Sequence, residues 1–282
     1  MTYEQFKTQI YNMTGIDLSL YKERQMLRRI NAIVAKYSFD DYTGYLEAIK
    51  SNKVMFEEFI NYLTINVSEF YRNPEQWNIL KNDILPDIIS RKGHDLKIWS
   101  AACSTGDEPY SLVMTLADLM PLEKIKIHAT DIDDTILQKA KAGLYNKKSL
   151  EGLPNEYVEK YFSKVGDTNY TISEKVKARV EYGKHNLLKD NYPRNFDLIV
   201  CRNVLIYFTE EAKSEIYRQF NRSLNDEGIL FIGSTEQIIQ CKEFGFISPK
   251  SFFYRKTRTV WMHVKHAFNL LFRESRTSFK CV

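Results

Sequence analysis

Residues 96–112, LKIWSAACSTGDEPYSL, carry the clearest change in the pattern of apolar and polar positions. The apolar run at 96–99 predicts a buried strand, small residues follow at 101–106, and apolar residues from Tyr110 to Ala117 recur at helical intervals. A strand, a tight loop and a helix in this order open a ligand site at the carboxyl end of a parallel strand. Gly106 is the one glycine of the loop, so the GxGxxG pattern of a pyrophosphate-binding turn is absent.

A second predicted strand, residues 125–130, is followed by Asp131. An acidic side chain at this place can accept hydrogen bonds from both ribose hydroxyls of a nucleotide. Because the ribose acid is present and the pyrophosphate turn is not, these features favour an adenosine ligand without a pyrophosphate, such as S-adenosylmethionine. The alternative is that Asp131 caps the helix that follows it.

The later pattern alternates strands with helices, which predicts an α/β fold with a parallel sheet covered on both faces. The predicted elements are a helix at 134–142, strands at 180–182, 196–201 and 228–232, a helix at 210–224 and a closing edge strand at 251–255. The interruption at 143–179 predicts an inserted antiparallel hairpin module. Ligands of such sheets bind at the carboxyl ends of the strands. The side chains that the sequence puts there are Asn186, Leu187, Arg202, Asn203 and Tyr207.

Residues 1–77 have helical periodicity with several breaks, and we predict a bundle of about four helices. In the helix predicted at 21–37, apolar residues fall on one face and five bases fall on the other. The bases are Lys22, Arg24, Arg28, Arg29 and Lys36. A charge run is usually a solvated face, but this one-sided excess also predicts docking to an acidic partner.

The composition is that of an ordinary globular protein. With 282 residues, 44% hydrophobic and 27% charged, the chain is long enough for about two domains. The four cysteines form no CxxC and the five histidines form no HExxH, so neither a zinc site nor a disulfide framework is expected. We expect Cys103 and Cys201 to be buried thiols. The absence of an apolar span or signal peptide favours the cytoplasm.

The formal net charge of +4 is unevenly distributed. Residues 255–282 carry seven bases and one acid, which leaves 33 bases and 35 acids in residues 1–254. A slightly acidic body disfavours a nucleic-acid partner. In the tail, apolar positions between Val260 and Phe272 form a helical stripe surrounded by bases. Such a helix can lie on an anionic membrane surface, pack on the preceding domain, or be a fusion or read-through remnant.

Five segments together resemble the chemotaxis receptor methyltransferases of the CheR type in order and spacing. They are LTINVSEFYR at 63–72, IWSAACSTGDEPYSL at 98–112, ATDID at 129–133, HNLL at 185–188 and CRNVLIYF at 201–208. The resemblance implies transfer of methyl groups from S-adenosylmethionine to glutamate carboxylates on the cytoplasmic helices of chemoreceptors. It also implies an all-helical amino-terminal domain and a class I methyltransferase domain with an inserted β-subdomain. The expected division is a docking domain at 1–77, a linker at 78–95, a methyltransferase domain at 96–255 with its insertion at about 143–179, and a tail at 256–282.

The resemblance also implies the site residues. Carried over onto this sequence, the cofactor contacts are Asn66, Ser68, Arg72, Glu108, Asp131, Asn186, Leu187, Arg202 and Asn203. Arg72 and Tyr207 are implied to lie nearest the reacting groups, and the basic second helix is implied to touch the receptor. Some members hold a receptor-terminal peptide through a loop of the β-subdomain, and the segment between Phe162 and Val180 is shorter here. We expect a monomer without a metal, associated with membrane-bound receptor arrays.

Two other functions fit the same pattern. One is a methyltransferase that acts on RNA or a small acid, and the other is a non-catalytic S-adenosylmethionine sensor that signals through the helical domain. The presence of both Arg72 and Tyr207 speaks against the sensor. A glutamate carboxylate is already ionised at neutral pH, so methyl ester formation needs no histidine general base.

Overall fold

The computed structural model describes residues 1–258, so the helix expected at 260–272 lies outside the described residues. In the described part of the chain, none of the helices has the length and apolar character needed to cross a membrane. Four helices make up the amino-terminal part, as the periodicity predicted. They are α1 (Tyr3–Thr14), α2 (Glu23–Lys36), α3 (Tyr42–Ser51) and α4 (Lys53–Thr64).

The ends of the first helix show why the sequence breaks where it does. Thr2 and Gln5 form a capping box at the start of α1. At its end, Gly15 adopts a left-handed φ of 71° and donates its N–H to the Tyr11 carbonyl. Helix α2 buries the face that includes Met26 and Ile30 against the bundle, as its periodicity predicted.

A seven-stranded sheet forms the centre of the rest of the chain. The strands among residues 1–258 are β1 (Ile98–Ala101), β2 (Ile127–Asp131), β3 (Leu144–Asn146), β4 (Phe162–Val165), β5 (Asn169–Ile172), β6 (Val180–Lys184), β7 (Phe196–Cys201), β8 (Leu224–Ile232), β9 (Phe246–Lys250) and β10 (Phe253–Lys256). The large sheet has the order β6-β2-β1-β7-β8-β10-β9. Strands β6, β2, β1, β7 and β8 are parallel, which confirms the predicted α/β fold.

The far edge of this sheet differs from the prediction. The strand expected to close the edge is β10, but it lies inside the sheet, antiparallel to both β8 and β9. The edge strand is β9, which the sequence pattern did not predict. Only Phe246 of its five residues is buried, so the strand lacks the alternation of apolar and polar residues that would reveal it.

In the part of the chain that the structure describes, seven further α-helices surround the strands. They are α5 (Pro74–Ile79), α6 (Leu85–Lys92), α7 (Asp107–Leu116), α8 (Asp134–Ala142), α9 (Asn155–Tyr161), α10 (Glu174–Lys177) and α11 (Glu210–Ser223). Residues 78–95, which we expected to form a linker, are mostly helical, because a π-helical segment, Leu80–Ile84, joins α5 to α6. Leu80, Leu85 and Ile88 of this stretch are buried in the core, so it packs as part of the protein body.

The interruption at 143–179 forms a small antiparallel sheet of order β3-β5-β4. This result confirms an inserted β-subdomain, with a third strand beyond the hairpin that the residue pattern predicted. Strands β4 and β5 are joined by a short turn at 166–168 in which Gly166 has a φ of 63°. Because this turn has only three residues, the segment that contains β4 and β5 is short.

Alternating residues of the large sheet feed two separate cores. Trp99 and Ile199 point to the face that is shared with the amino-terminal helices. Ile98 and Leu198 point to the opposite face, where α5, α6 and α7 pack. Because the amino-terminal helices and one face of the sheet share a single core, the carboxyl ends of the strands meet those helices directly.

Candidate functional site

A cleft lies where the carboxyl ends of β1, β2, β6 and β7 meet the amino-terminal helices. Its empty space, including the part that is open to solvent, amounts to about 540 Å³. The lining residues come from six segments: Tyr21, Leu63, Thr64, Ile65, Ala102, Asp131, Ile132, His185, Asn186, Leu187, Val204, Tyr207 and Phe208. A larger groove opens at the amino ends of the strands, away from the side chains that the sequence singled out.

The loop after β1 turns sharply beneath the cleft. Ala102 and Ser104 both adopt left-handed φ values, 64° and 49°, and Gly106 has a φ of 89°. A Cβ on Gly106 would lie 2.8 Å from the Tyr182 hydroxyl, so this position requires glycine for both space and conformation. Left-handed conformations of non-glycine residues are strained and persist where surrounding contacts hold them.

Asp131 supplies those contacts. Its Oδ2 accepts the Ser104 N–H at 2.9 Å, and its Oδ1 accepts the Asp133 N–H at 3.2 Å. Burial raises the pKa of Asp131, against the lowering effect of the two N–H groups. The helix-capping alternative is wrong, because Asp133 caps α8 by accepting the N–H groups of Thr135 and Ile136. Asp131 therefore remains at the cleft as a buried carboxylate.

Asn66 joins the end of α4 to the start of α8. Its Nδ2 donates to Asp133 Oδ2 at 3.0 Å and to Thr64 Oγ1 at 2.9 Å. The same Asp133 oxygen accepts the Thr64 hydroxyl at 3.3 Å. Asn66 thus fixes one wall of the cleft, although it is not among the lining residues.

Arg202 and Glu108 form a buried polar cluster next to the cleft. Arg202 Nη2 donates to the Arg72 carbonyl at 2.5 Å and to Gln76 Oε1 at 2.8 Å. Its Nη1 lies 4.0 Å from Glu108 Oε2, while Glu108 Oε1 accepts the Ser100 hydroxyl at 2.8 Å. Burial raises the pKa of Glu108 to about 7 and lowers that of Arg202. A positive charge arriving beside Glu108 would favour its ionised form.

Arg72 and Ser68 lie on the segment that leads into α5. The Arg72 side chain is half-buried, and its Nη1 donates to the Val67 carbonyl at 3.4 Å. Ser68 lies in a neighbouring depression that Asp107 and Tyr145 also line. The structure therefore brings Asp131, Asn186, Leu187 and Tyr207 into one cleft and places the other cofactor candidates around it.

Residues 202–208, which we term the cleft loop, carry Arg202, Asn203 and Tyr207. Asn203 has a left-handed φ of 61°. The Tyr207 carbonyl accepts the Lys22 N–H at 2.8 Å, and the Thr209 N–H donates to the Leu20 carbonyl at 2.9 Å. The segment just before α2 is thus hydrogen-bonded to the carboxyl-terminal end of the cleft loop.

The basic face of α2 is only partly open. Arg24 and Arg28 are exposed at the surface, and Lys22 is half-buried. Arg29 donates to the Tyr62 carbonyl and stacks 4.4 Å from the Tyr62 ring centre, because its stem lies at the edge of the bundle. Lys36 pairs with Glu58. Two of the five bases are therefore engaged by α4.

Sequence reasoning missed two residues, one that lines the cleft and one that contacts the cleft loop. His185 lines the cleft and is 8% exposed, and its Nε2 has no partner among residues 1–258. It lies in the HNLL segment, from which we singled out only the next two residues. Glu236 follows β8 and contacts the cleft loop. An acid after the last parallel strand was a readable signal, by the same logic that selected Asp131.

Comparison with known proteins accounts for this arrangement. The family model described as "CheR methyltransferase, SAM binding domain" matches residues 66–252, and "CheR methyltransferase, all-alpha domain" matches residues 1–64. The chain is 42% identical to a chemotaxis protein methyltransferase of Listeria monocytogenes, over 86% of this chain and 92% of the relative. It is 34% identical to that of Escherichia coli, over 80% and 81% respectively, and 32% identical to that of Borreliella burgdorferi, over 86% and 90%.

Proposed function

Because this chain belongs to the CheR methyltransferase family, we propose that it transfers methyl groups to glutamate side chains of chemoreceptors, with S-adenosylmethionine as the donor. The observation that carries the proposal is the buried carboxylate of Asp131 at the carboxyl end of β2, where it lines the cleft. The family match confirms the use of S-adenosylmethionine that the sequence predicted.

The residues of the cleft fit that cofactor. Asp131 offers a carboxylate for the ribose hydroxyls, and the apolar side chains of Ile132 and Leu187 offer walls for a flat base. His185 contributes a buried nitrogen that has no partner in the described part of the chain. Next to the cleft, Glu108 supplies a carboxylate whose ionisation a cationic group would favour. We assign the nine carried-over positions to the cofactor site on this basis.

The chemistry asks the protein for orientation rather than for proton transfer. The bound cofactor supplies a methyl group on a positively charged sulfur, and a glutamate carboxylate is already a nucleophile at neutral pH. The protein must remove water from that carboxylate and align it. Arg72 and Tyr207 are suited to the alignment, since the first carries a half-buried guanidinium and the second lines the cleft. A tight two-point clamp would lower the nucleophilicity of the carboxylate, so we expect a partial contact.

We assign receptor docking to the open part of the basic face on α2. Arg24 and Arg28 can meet acidic side chains of a receptor helix, because both reach the surface. Lys22 stands between this face and the cleft, since its backbone N–H is hydrogen-bonded to Tyr207. The side chains of Arg29 and Lys36 are engaged by α4, so these two residues add positive charge to the electrostatic field of this face but are not free to pair with the receptor.

We further propose that the enzyme acts as a monomer and that the tail brings it near membrane-bound receptor arrays. The support is the apolar stripe and its flanking bases in the sequence. Truncation after Arg258 keeps β10 intact, because Thr257 donates to the Gly245 carbonyl and Arg258 pairs with Glu227. The truncated protein should keep its activity on soluble receptor fragments and lose binding to anionic vesicles. Loss of thermal stability, without vesicle binding by the full chain, would contradict this role.

The methyl-transfer function is tested by incubating the purified full chain with radiolabelled S-adenosylmethionine and chemoreceptor cytoplasmic fragments. Label that is released as methanol by mild base identifies carboxyl methyl esters. Fragments whose candidate glutamates are replaced by alanine serve as the matched control. Transfer to RNA or to a small acid, but not to receptor, would favour the other methyltransferase, whereas cofactor binding without any transfer would favour the sensor.

A further inference from the structure

Glu236, in the loop after β8, is almost fully buried, with 5% of its surface exposed. Its Oε1 accepts the N–H groups of Leu205 at 2.7 Å and Ile206 at 3.3 Å. Its Oε2 accepts those of Asn203 at 2.7 Å and Gly233 at 2.8 Å. Three of these four donors belong to the cleft loop, so one side chain holds three residues of that loop by their backbone N–H groups.

The contacts require a carboxylate rather than any other side chain of this size. An ionised carboxylate accepts hydrogen bonds through both oxygens and donates none. A glutamine in the same place would turn its NH₂ group toward two backbone donors, whichever way the amide faced. Hydrogen bonds to a charged acceptor are also about twice as strong as neutral ones. Burial raises the pKa of Glu236, and the four backbone N–H groups act against that rise.

The packing around Glu236 is close. A Cβ on Gly233 would lie 2.7 Å from Glu236 Oε2 and 2.9 Å from the Asn203 nitrogen. Asn203 itself has a left-handed φ of 61°, a conformation that lasts only where surrounding contacts hold it. The Glu236 carboxylate, Gly233 and the strained Asn203 therefore pack closely against one another next to the cleft.

The segment before α2 also holds the cleft loop, at the carboxyl-terminal end of the loop. The Lys22 N–H donates to the Tyr207 carbonyl, while Glu236 accepts the N–H groups of Leu205 and Ile206. Glu236 is not among the residues that line the cleft, so it can act on the cleft only through the residues that it holds.

We propose that Glu236 is a positioning residue that sets the place of Asn203 beside the cleft and of Tyr207 in the cleft by holding the backbone of the cleft loop. For its effect on catalysis the inference rests on the proposed methyl-transfer function. Its effect on the loop does not, because the four hydrogen bonds form in the protein without any ligand.

The experiment compares Glu236→Gln with Asp197→Asn. Asp197 is also a carboxylate with 5% of its surface exposed, and it accepts the Lys97 N–H at 3.1 Å at the amino ends of the strands. Both variants should lose stability, but only Glu236→Gln should lower kcat, by about 10- to 100-fold, with the KM for receptor unchanged. In the unliganded full chain, hydrogen exchange in the peptide that covers 203–206 should be faster in Glu236→Gln than in Asp197→Asn. The affinity for S-adenosylhomocysteine, measured by calorimetry, should also fall.

A kcat and an exchange rate that match those of Asp197→Asn would overturn the proposal. Gly233→Ala is the second variant and decides alone if Glu236→Gln does not fold. Its φ is not left-handed, so the added methyl group acts through space only, and we expect faster exchange at 203–206 and a lower kcat. A wild-type exchange rate and kcat for Gly233→Ala would contradict a role for this close packing. If the wild-type chain methylates no receptor, the methyl-transfer proposal fails, while exchange and affinity still test Glu236.

Discussion

Replacing Asp131 by asparagine tests the assignment of the ribose site most directly. The change keeps the shape of the side chain and removes its charge and one of its two acceptor oxygens. In the unliganded protein those oxygens accept the N–H groups of Ser104 and Asp133. Asparagine can satisfy only one of these donors and only one of two ribose hydroxyls. We therefore expect weaker cofactor binding and a small loss of stability.

The magnitude follows from the hydrogen bonds to the ribose that asparagine cannot accept. A hydrogen bond to a charged group contributes about 1.5–3 kcal/mol. Without one such bond, binding should weaken by about 10- to 150-fold, since each 1.4 kcal/mol corresponds to about a factor of ten. Alanine in place of Asp131 would leave two buried N–H groups without an acceptor, so its effect would mix binding with folding. Asparagine separates the two better.

The assay is calorimetric titration with S-adenosylhomocysteine, which binds without reacting. Asp134→Asn is the matched control, because it removes a charge from the same turn at a side chain that is 65% exposed and pairs with Lys184. That control should bind as the wild type does. An unchanged affinity in Asp131→Asn, with a thermal unfolding transition that shows a folded protein, would remove Asp131 from the ribose site.

Three further predictions concern catalysis, docking and pH. Arg72→Ala and Tyr207→Phe should lower kcat more than they lower the free energy of unfolding, as measured by initial rates at saturating cofactor and by urea titration. Arg24→Glu with Arg28→Glu should raise the KM for receptor without changing cofactor affinity, and the wild-type KM should rise with salt. Glu108→Gln should flatten the pH dependence of stability between pH 4.5 and about 7, measured by urea unfolding. Because the folded pKa of Glu108 is raised, the folded state holds the extra proton, so stability falls as pH rises through this window.

Each of these predictions has an outcome that contradicts it. Full receptor methylation by either Arg72→Ala or Tyr207→Phe would remove that residue from the catalytic alignment. Lys242→Glu, an exposed charge reversal on another part of the surface, is the docking control, and an equal rise in KM there would point to net charge rather than to α2. For Glu108→Gln, a slope equal to that of the wild type would show that Glu108 titrates near its ordinary pKa.

The large sheet was predictable because its strands are short apolar runs that are separated by helical periodicity. The edge hairpin was not predictable in the same way, since β9 buries a single residue, Phe246. The residues at the strand ends were also predictable, because topology alone brings the carboxyl ends of parallel strands together. Which acid caps α8 and which faces the cleft could not be read from the sequence DIDD, because the choice between Asp131 and Asp133 depends on backbone direction.

Contacts between distant segments set the rest of the site, and no local pattern encodes them. Arg29 carries the same charge as Arg28, yet its donation to the Tyr62 carbonyl removes it from the open face. Tyr207 was selected for its hydroxyl, yet its carbonyl joins it to Lys22, at the start of the helix that we assign to receptor docking. A receptor helix bound on α2 would therefore lie next to the backbone segment that is hydrogen-bonded to the cleft loop at Tyr207. Docking and alignment of the glutamate then depend on one short segment.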